Sequence, residues 1–179
     1  MKSYQNWARR EYSLKQRLTA LFFAGILFLL IIPVLLTVSS NAVDAWLGLP
    51  KIPPTAAIRI LGVLLLAAGG FLAMWSIETQ VTVGRGTPVP MMPTRKVITG
   101  GPFAWCRNPM TLGTFLAYAG FCLLIGSFSA VAIVALLIGA LLLYLKRIEE
   151  KELEARFGAE YLEYKRVTPF IVPRLRRKI

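Results

Sequence analysis

Three uncharged runs limit what this chain can fold into. Leu18–Val38 is 21 residues without a charge, Ile60–Ile77 is 18, and Asn108–Leu145 is 38. A hydrocarbon core about 30 Å thick is crossed by roughly 20 apolar helical residues, so the first two runs each read as one transmembrane helix. The third would be about 57 Å long as a single helix at about 1.5 Å per residue, far more than one crossing needs. Gly126-Ser127 lies at its middle, so it reads as two shorter spans joined by a tight hairpin. A cleaved leader is a poor reading of the first run, because such leaders carry apolar stretches of about 7–15 residues. The expected fold class is all-α: a polytopic membrane protein with about four transmembrane helices, the last two a hairpin. The chain reads as a single domain over residues 1–179, with an N-terminal segment to residue 17, spans and a middle loop over 18–145, and a tail from 146.

Charge then orients these spans. The chain holds 21 Lys and Arg against 9 Asp and Glu, a net +12, and no histidine. Lys2, Arg9, Arg10, Lys15 and Arg17 precede the first span, opposed there by Glu11. The segment Glu78–Arg107 carries Arg85, Arg95, Lys96 and Arg107, and the tail from Lys146 carries 10 Lys or Arg and 6 Glu. The hairpin tip Gly126-Ser127-Phe128-Ser129 has no charge. The positive-inside rule therefore places both termini and the middle loop in the cytoplasm. Basic segments beside a membrane favour anionic headgroups by about 1 kcal/mol per residue, so membrane lipids, not nucleic acid, are the expected partners of this charge. The missing histidine excludes Ser-His-Asp and Cys-His nucleophiles, a histidine zinc site and a histidine base. Cys106 and Cys122 lack any metal-ligand or CxxC spacing and read as small packing residues. No metal is expected.

Three segments are richer than a membrane anchor requires. Gly84–Pro93 has three prolines within six residues, which forbids a regular helix and reads as a structural strap. Thr99–Met110 supplies a Gly100-Gly101-Pro102 turn, two aromatic residues and then Arg107-Asn108-Pro109. Pro109 suits the first turn of a helix and Asn108 its N-cap. Beyond them Thr111, Thr114, Tyr118 and Cys122 recur at helical spacing, a polar stripe expected to face the bundle interior. The third segment leaves the last span as Tyr144-Leu145-Lys146-Arg147-Ile148-Glu149-Glu150. Spacing of i,i+4 suggests pairs of Lys146 with Glu150 and of Glu152 with Arg156. Leu153, Phe157, Tyr161 and Tyr164 then share one face of a cytoplasmic amphipathic helix, interrupted at Gly158. An extended apolar piece, Thr168–Arg174, follows and can fold back. Together these pieces outline a pocket facing the cytoplasm, with one side open to lipid.

At these residues the sequence resembles the membrane methyltransferase superfamily of isoprenylcysteine carboxyl methyltransferase and the phospholipid N-methyltransferases, in its bacterial form. The family signature is Arg-His-Pro-x-Tyr, a hydrophobic stretch, then Glu-Glu. This chain has Arg107-Asn108-Pro109-Met110-Thr111, the apolar hairpin, then Glu149-Glu150. Gly86-Thr87-Pro88-Val89-Pro90 and Thr99-Gly100-Gly101-Pro102-Phe103 resemble the loop upstream, and Phe157-Gly158-x-x-Tyr161-x-x-Tyr164 with Pro173-Arg174 resembles the tail. Asn108 stands where the signature has histidine and Thr111 where it has tyrosine. An amide donates and accepts hydrogen bonds but cannot relay a proton.

The resemblance implies S-adenosylmethionine as cofactor, whose sulfonium brings its own electrophilic methyl group and needs neither metal nor covalent nucleophile. It implies cofactor contacts from Gly100, Gly101, Pro102, Asn108, Pro109, Glu149 and Glu150, with Arg107 and Glu150 as the catalytic pair. Tyr118, Tyr144, Tyr161 and Tyr164 would line the substrate side. Adjacent helical positions diverge by about 100°, so Glu149 and Glu150 should have different partners. The implied acceptor is lipophilic and reached from the membrane: a carboxyl group of the isoprenylcysteine kind or another small lipophilic group. A phospholipid amine is the alternative acceptor. An NADPH-dependent membrane reductase and a non-enzymatic scaffold are the other classes in play. The implied location is the inner membrane of a bacterium or archaeon, with the active site cytoplasmic.

Overall fold

The computed structural model describes residues 12–89 and 92–173. The charges at Lys2, Arg9, Arg10 and Glu11, the loop residues Pro90 and Met91, and Arg174 lie outside the described residues. Among the described residues five α-helices are formed: α1 Leu14–Leu47, α2 Ala56–Thr82, α3 Pro109–Ile125, α4 Phe128–Phe157 and α5 Ala159–Val167. Helices α1, α2 and α4 are long and apolar enough to cross a membrane, and α3 is a shorter apolar helix of 17 residues. The protein is an all-α polytopic membrane protein, with α3 and α4 as the expected hairpin.

The helix ends follow from their sequence. Ser13 opens α1 in a reciprocal capping box with Gln16, and Thr55 caps α2 by accepting from Ile58 N. Between α3 and α4, Gly126 takes a left-handed conformation (φ +66°) that closes α3, a region glycine enters without steric cost. Ser127 then accepts from Ala130 N, and Asp44 of α1 accepts from Ser129 N, both at 3.1 Å. Asp44 also pairs with Lys51 at 3.2 Å, Lys51 donates to Asn41, and Ile52 N donates to the Gly126 carbonyl. These bonds tie α1, the first connection and the hairpin tip together at the end opposite the tail.

Helices α2 and α3 make the most extensive contact in the molecule, along a seam of small residues. Gly62 and Gly69 of α2 face Gly120 and Gly113 of α3. A Cβ at Gly69 would stand 2.3 Å from Ala117 N, and one at Gly120 2.4 Å from the Gly62 carbonyl oxygen. The two backbones therefore touch directly, which replaces the hydrophobic driving force that lipid removes. Helix α4 packs on α3 and on the C-terminal half of α1 around Leu36, Cys122, Ala130 and Val134.

Two π-helical turns interrupt this regularity, at Leu27–Ile31 in α1 and Leu145–Glu149 in α4. The first precedes Pro33, whose missing N–H and ring disturb the hydrogen-bond ladder one turn back. Tyr118 of α3 donates from its hydroxyl to the Phe28 carbonyl in that turn at 2.6 Å. The middle loop is a strap, as its prolines suggest: Gly86 N donates to Gln80 O, Thr87 N to Met92 O and Arg95 N to Gly84 O.

Candidate functional site

The site is assembled at the tail end of the bundle from four pieces of chain. The first is a 3-10 turn, Gly101–Ala104, with Pro102 fully buried. It sits on the end of α2, where the Trp75 and Trp105 rings meet edge to face with centroids 5.2 Å apart. Three residues later Arg107 and Asn108 lead into α3. Asn108 occupies the N-cap position as expected, yet its side chain makes no cap hydrogen bond. Its Nδ2 donates instead to the Phe170 carbonyl at 3.0 Å, so the amide holds the returning tail.

The second piece is the exit of α4. Glu150 follows directly on the π turn Leu145–Glu149, and its side chain is only 6% exposed. A π turn accommodates one extra residue, which shifts everything after it by about 100° relative to an uninterrupted α-helix. Here that phase turns Glu150 inward. Its Oε1 lies 2.9 Å from Arg107 Nη1 and its Oε2 2.8 Å from Lys165 Nζ. The pairing with Lys146 suggested by i,i+4 spacing is thus replaced, and Lys146 is left exposed. An i,i+4 pair of this kind needs an unbroken α-helix, which the π turn interrupts.

The third piece is α5, set off from α4 by the bend at Gly158 (φ +55°). It presents Tyr161, Tyr164 and Lys165. Both tyrosines are buried, and Tyr164 donates to the Phe103 carbonyl at 2.7 Å, fastening α5 to the 3-10 turn. The fourth piece is the tail Thr168–Pro173. Arg107 N donates to Pro169 O at 2.9 Å, and the Arg107 guanidinium lies 5.6 Å from the centre of the Phe170 ring. The tail folds back onto the signature turn, as its apolar character suggests. Arg156 reaches the Thr94 carbonyl and joins α4 to the middle loop.

The electrostatics of the cluster follow from enclosure. Burial, with the Glu150 charge as a second cause, pushes the Tyr161 phenol up to about 12. Burial raises Tyr164 as well. The hydrogen bonds from Lys165 to Glu150 and Glu154 hold its ammonium protonated above the usual lysine range. Arg107 Nε, Arg107 Nη1 and Glu150 Oε1 are buried and make no aligned hydrogen bond, although the two side chains stand at ion-pair distance. Arg107 Nη1 and Glu150 Oε1 are thus each other's partners, and Arg107 Nε is the buried donor left over. Buried polar atoms of this kind call for an explanation.

Of the residues expected at the site, the structure brings together Arg107, Asn108, Glu150, Tyr161 and Tyr164. Pro109 is buried at the start of α3, and Glu149 is half-buried beside them. Gly100 and Gly101 are exposed on the turn, one face of which Tyr164 secures. Tyr118 lies elsewhere, about 15 Å along α3 from Asn108 by helical rise, bonded to α1. Tyr144 is exposed on α4, on the far side of the π turn from Glu150. Residues the sequence left unmarked are Lys165, Glu154, Pro169 and Phe170. Lys165 and Glu154 pair at 2.7 Å across the Gly158 bend, and no helical spacing connects them.

A bundle of apolar helices with an enclosed ionic cluster at one end defines the class: a polytopic membrane protein with a buried polar cluster. Residues 57–160, more than half of the chain, match the model of the phospholipid methyltransferase family. The chain belongs to that family, and its activity class is that of a membrane methyltransferase. The match spans the glycine seam, the signature turn and the Glu149-Glu150 pair. No curated protein and no solved structure matches the chain significantly.

Proposed function

We propose that this protein transfers a methyl group from S-adenosylmethionine to a lipophilic acceptor that reaches the site from the membrane. The observation that carries this reading is the enclosed Arg107–Glu150 ion pair at 2.9 Å, beside which the buried Arg107 Nε has no hydrogen-bond partner. A guanidinium beside a carboxylate suits the carboxylate and ammonium of an amino-acid tail, which this cofactor has. Arg107, Asn108, Glu149 and Glu150 would hold it, and when bound it supplies an electrophilic methyl on sulfonium.

The residues around it then have tasks of placement. The Arg107–Glu150 pair, walled by Tyr161, Tyr164 and Phe170, keeps water out and charge in place, so that acceptor and donor are aligned. A carboxylate acceptor is nucleophilic without a base. An amine headgroup must lose a proton, and Glu149, less enclosed than Glu150 and outside its two ion pairs, is the residue to take it. The family match favours the phospholipid amine as the second reading of the acceptor. On this reading the tail end of the bundle is cytoplasmic, where the cofactor is made, in agreement with the charge asymmetry.

Incubating the purified protein in lipid bilayers with methyl-labelled S-adenosylmethionine, followed by mass spectrometry of the lipid extract, tests the reading. Label in the lipid fraction is expected, and its position separates ester from amine. Glu150→Gln should weaken cofactor binding by roughly 10- to 100-fold, the worth of a charge-assisted hydrogen bond. Wild-type affinity in Glu150→Gln and Asn108→Ala together, or binding of NADPH in place of S-adenosylmethionine, would remove the proposal.

A further inference from the structure

The two cations on Glu150 are held unequally. Arg107 has a side chain only 10% exposed, lies over the Phe170 ring and is tied through its backbone to Pro169. Lys165 is 35% exposed and reaches a second carboxylate, Glu154, at 2.7 Å, whose own side chain is 33% exposed. Lys165 can therefore leave Glu150 and keep a partner in Glu154. Glu150 itself is buried, and a buried carboxylate stripped of a counter-ion is costly. Arg107 stays on Oε1, so movement of Lys165 strips the buried Oε2 of its partner and leaves a place there for another cation. A primary ammonium on an incoming ligand is such a cation, and it matches Lys165 in charge and donor number.

We propose that Lys165 is a built-in counter-ion: it neutralises Glu150 in the ligand-free protein and yields that carboxylate to the ammonium of the methyl donor, remaining paired to Glu154. The inference rests on the reading of the site as one for S-adenosylmethionine, and adds to it an exchange between two cations on one carboxylate. Lys165 then competes with the ligand, and Glu154 lowers the cost of its departure. The alternative is a fixed structural bridge, in which Lys165 holds Glu150 in place and helps the ligand. The two roles predict opposite signs.

Equilibrium titration of S-adenosylmethionine into the full chain in lipid nanodiscs, for Lys165→Met, Glu154→Gln and the double variant, distinguishes them. Lys165→Met should bind roughly three- to tenfold more tightly than wild type and Glu154→Gln several-fold more weakly, with the double variant matching Lys165→Met, the non-additivity expected of residues acting on one charge. 5′-Methylthioadenosine, which lacks the amino-acid tail, should bind all four proteins alike; a general loosening of the site would move both ligands. Lys165→Gln is the second variant should Lys165→Met assemble poorly. Equal or weaker binding of S-adenosylmethionine by Lys165→Met overturns the counter-ion. Failure of the wild type to bind S-adenosylmethionine at all overturns the reading of the site and the counter-ion with it.

Discussion

Among single residues, Glu150 and Tyr161 show how enclosure changes what a side chain does. Glu150 is buried yet reached by two cations, and Tyr161 stays neutral because burial and the neighbouring Glu150 both oppose ionisation. The folded-state value of the Tyr161 phenol, about 12, lies above its ordinary value of 10.0. Its contribution to stability is therefore complete below about pH 10 and is lost as pH rises toward 12, because the unfolded chain releases the proton first. Melting temperatures should fall across that alkaline window, and less steeply in Tyr161→Phe. Identical slopes in the two proteins would assign the alkaline loss to other groups. Arg107, Asn108 and Glu150 could be singled out in the sequence, because a charged or polar residue at the edge of an apolar run is costly without a partner. The actual bond of Asn108 was not legible. An amide before Pro109 reads as a cap, and only the return of the tail supplies the Phe170 carbonyl it donates to.

At the scale of elements, the glycine seam and the π turn of α4 carry the argument. The seam leaves no room for a side chain, so Gly69→Val should destabilise the bundle by about 1–3 kcal/mol, as overpacking does, and lower the thermal melting point in detergent. Valine at Gly25, where a Cβ meets nothing within 4 Å, is the control and should leave it unchanged. The π turn makes a less intuitive prediction. It absorbs one extra residue, so deleting the exposed Ile148 should straighten α4 and still leave Glu150 turned toward Arg107. Inserting an alanine at the same place should rotate Glu150 away by about 100°. Cofactor binding is expected to survive the deletion and not the insertion. Equal loss in both would show that the turn does not set the phase of Glu150. Helix existence and the Gly126 hairpin were readable from hydrophobic runs and one turn signal. The π turn of α4 was not, because no proline or other breaker marks Leu145–Glu149 as Pro33 marks the turn in α1.

The whole molecule is a bundle with two differently built ends. One end is closed by Asp44, Lys51, Ser127 and Ser129. The other holds the ionic site, against which Thr168–Pro173 folds back. Charge asymmetry predicts that the site end faces the cytoplasm. Cysteines placed at the exposed positions Ser13 and Thr55 test this, since native Cys106 and Cys122 are buried. A membrane-impermeant maleimide should label Thr55→Cys in intact cells and Ser13→Cys only after permeabilisation. The reverse pattern would invert the topology.

The sequence by itself determined that this chain crosses a membrane and that it turns back on itself at Gly126-Ser127, and it singled out Arg107, Asn108 and the Glu149-Glu150 pair as candidate site residues. Those conclusions follow from one-dimensional signals: a bilayer requires long uncharged runs, and it penalises every polar residue that lacks a partner. Only the tertiary structure decided that Glu150 is the enclosed member of the pair, that Lys165 and not Lys146 answers it, and that Tyr118 bonds α1 far from the site. These depend on the phase of a π turn, the bend at Gly158 and the return of the tail, where residues distant along the chain become neighbours in space.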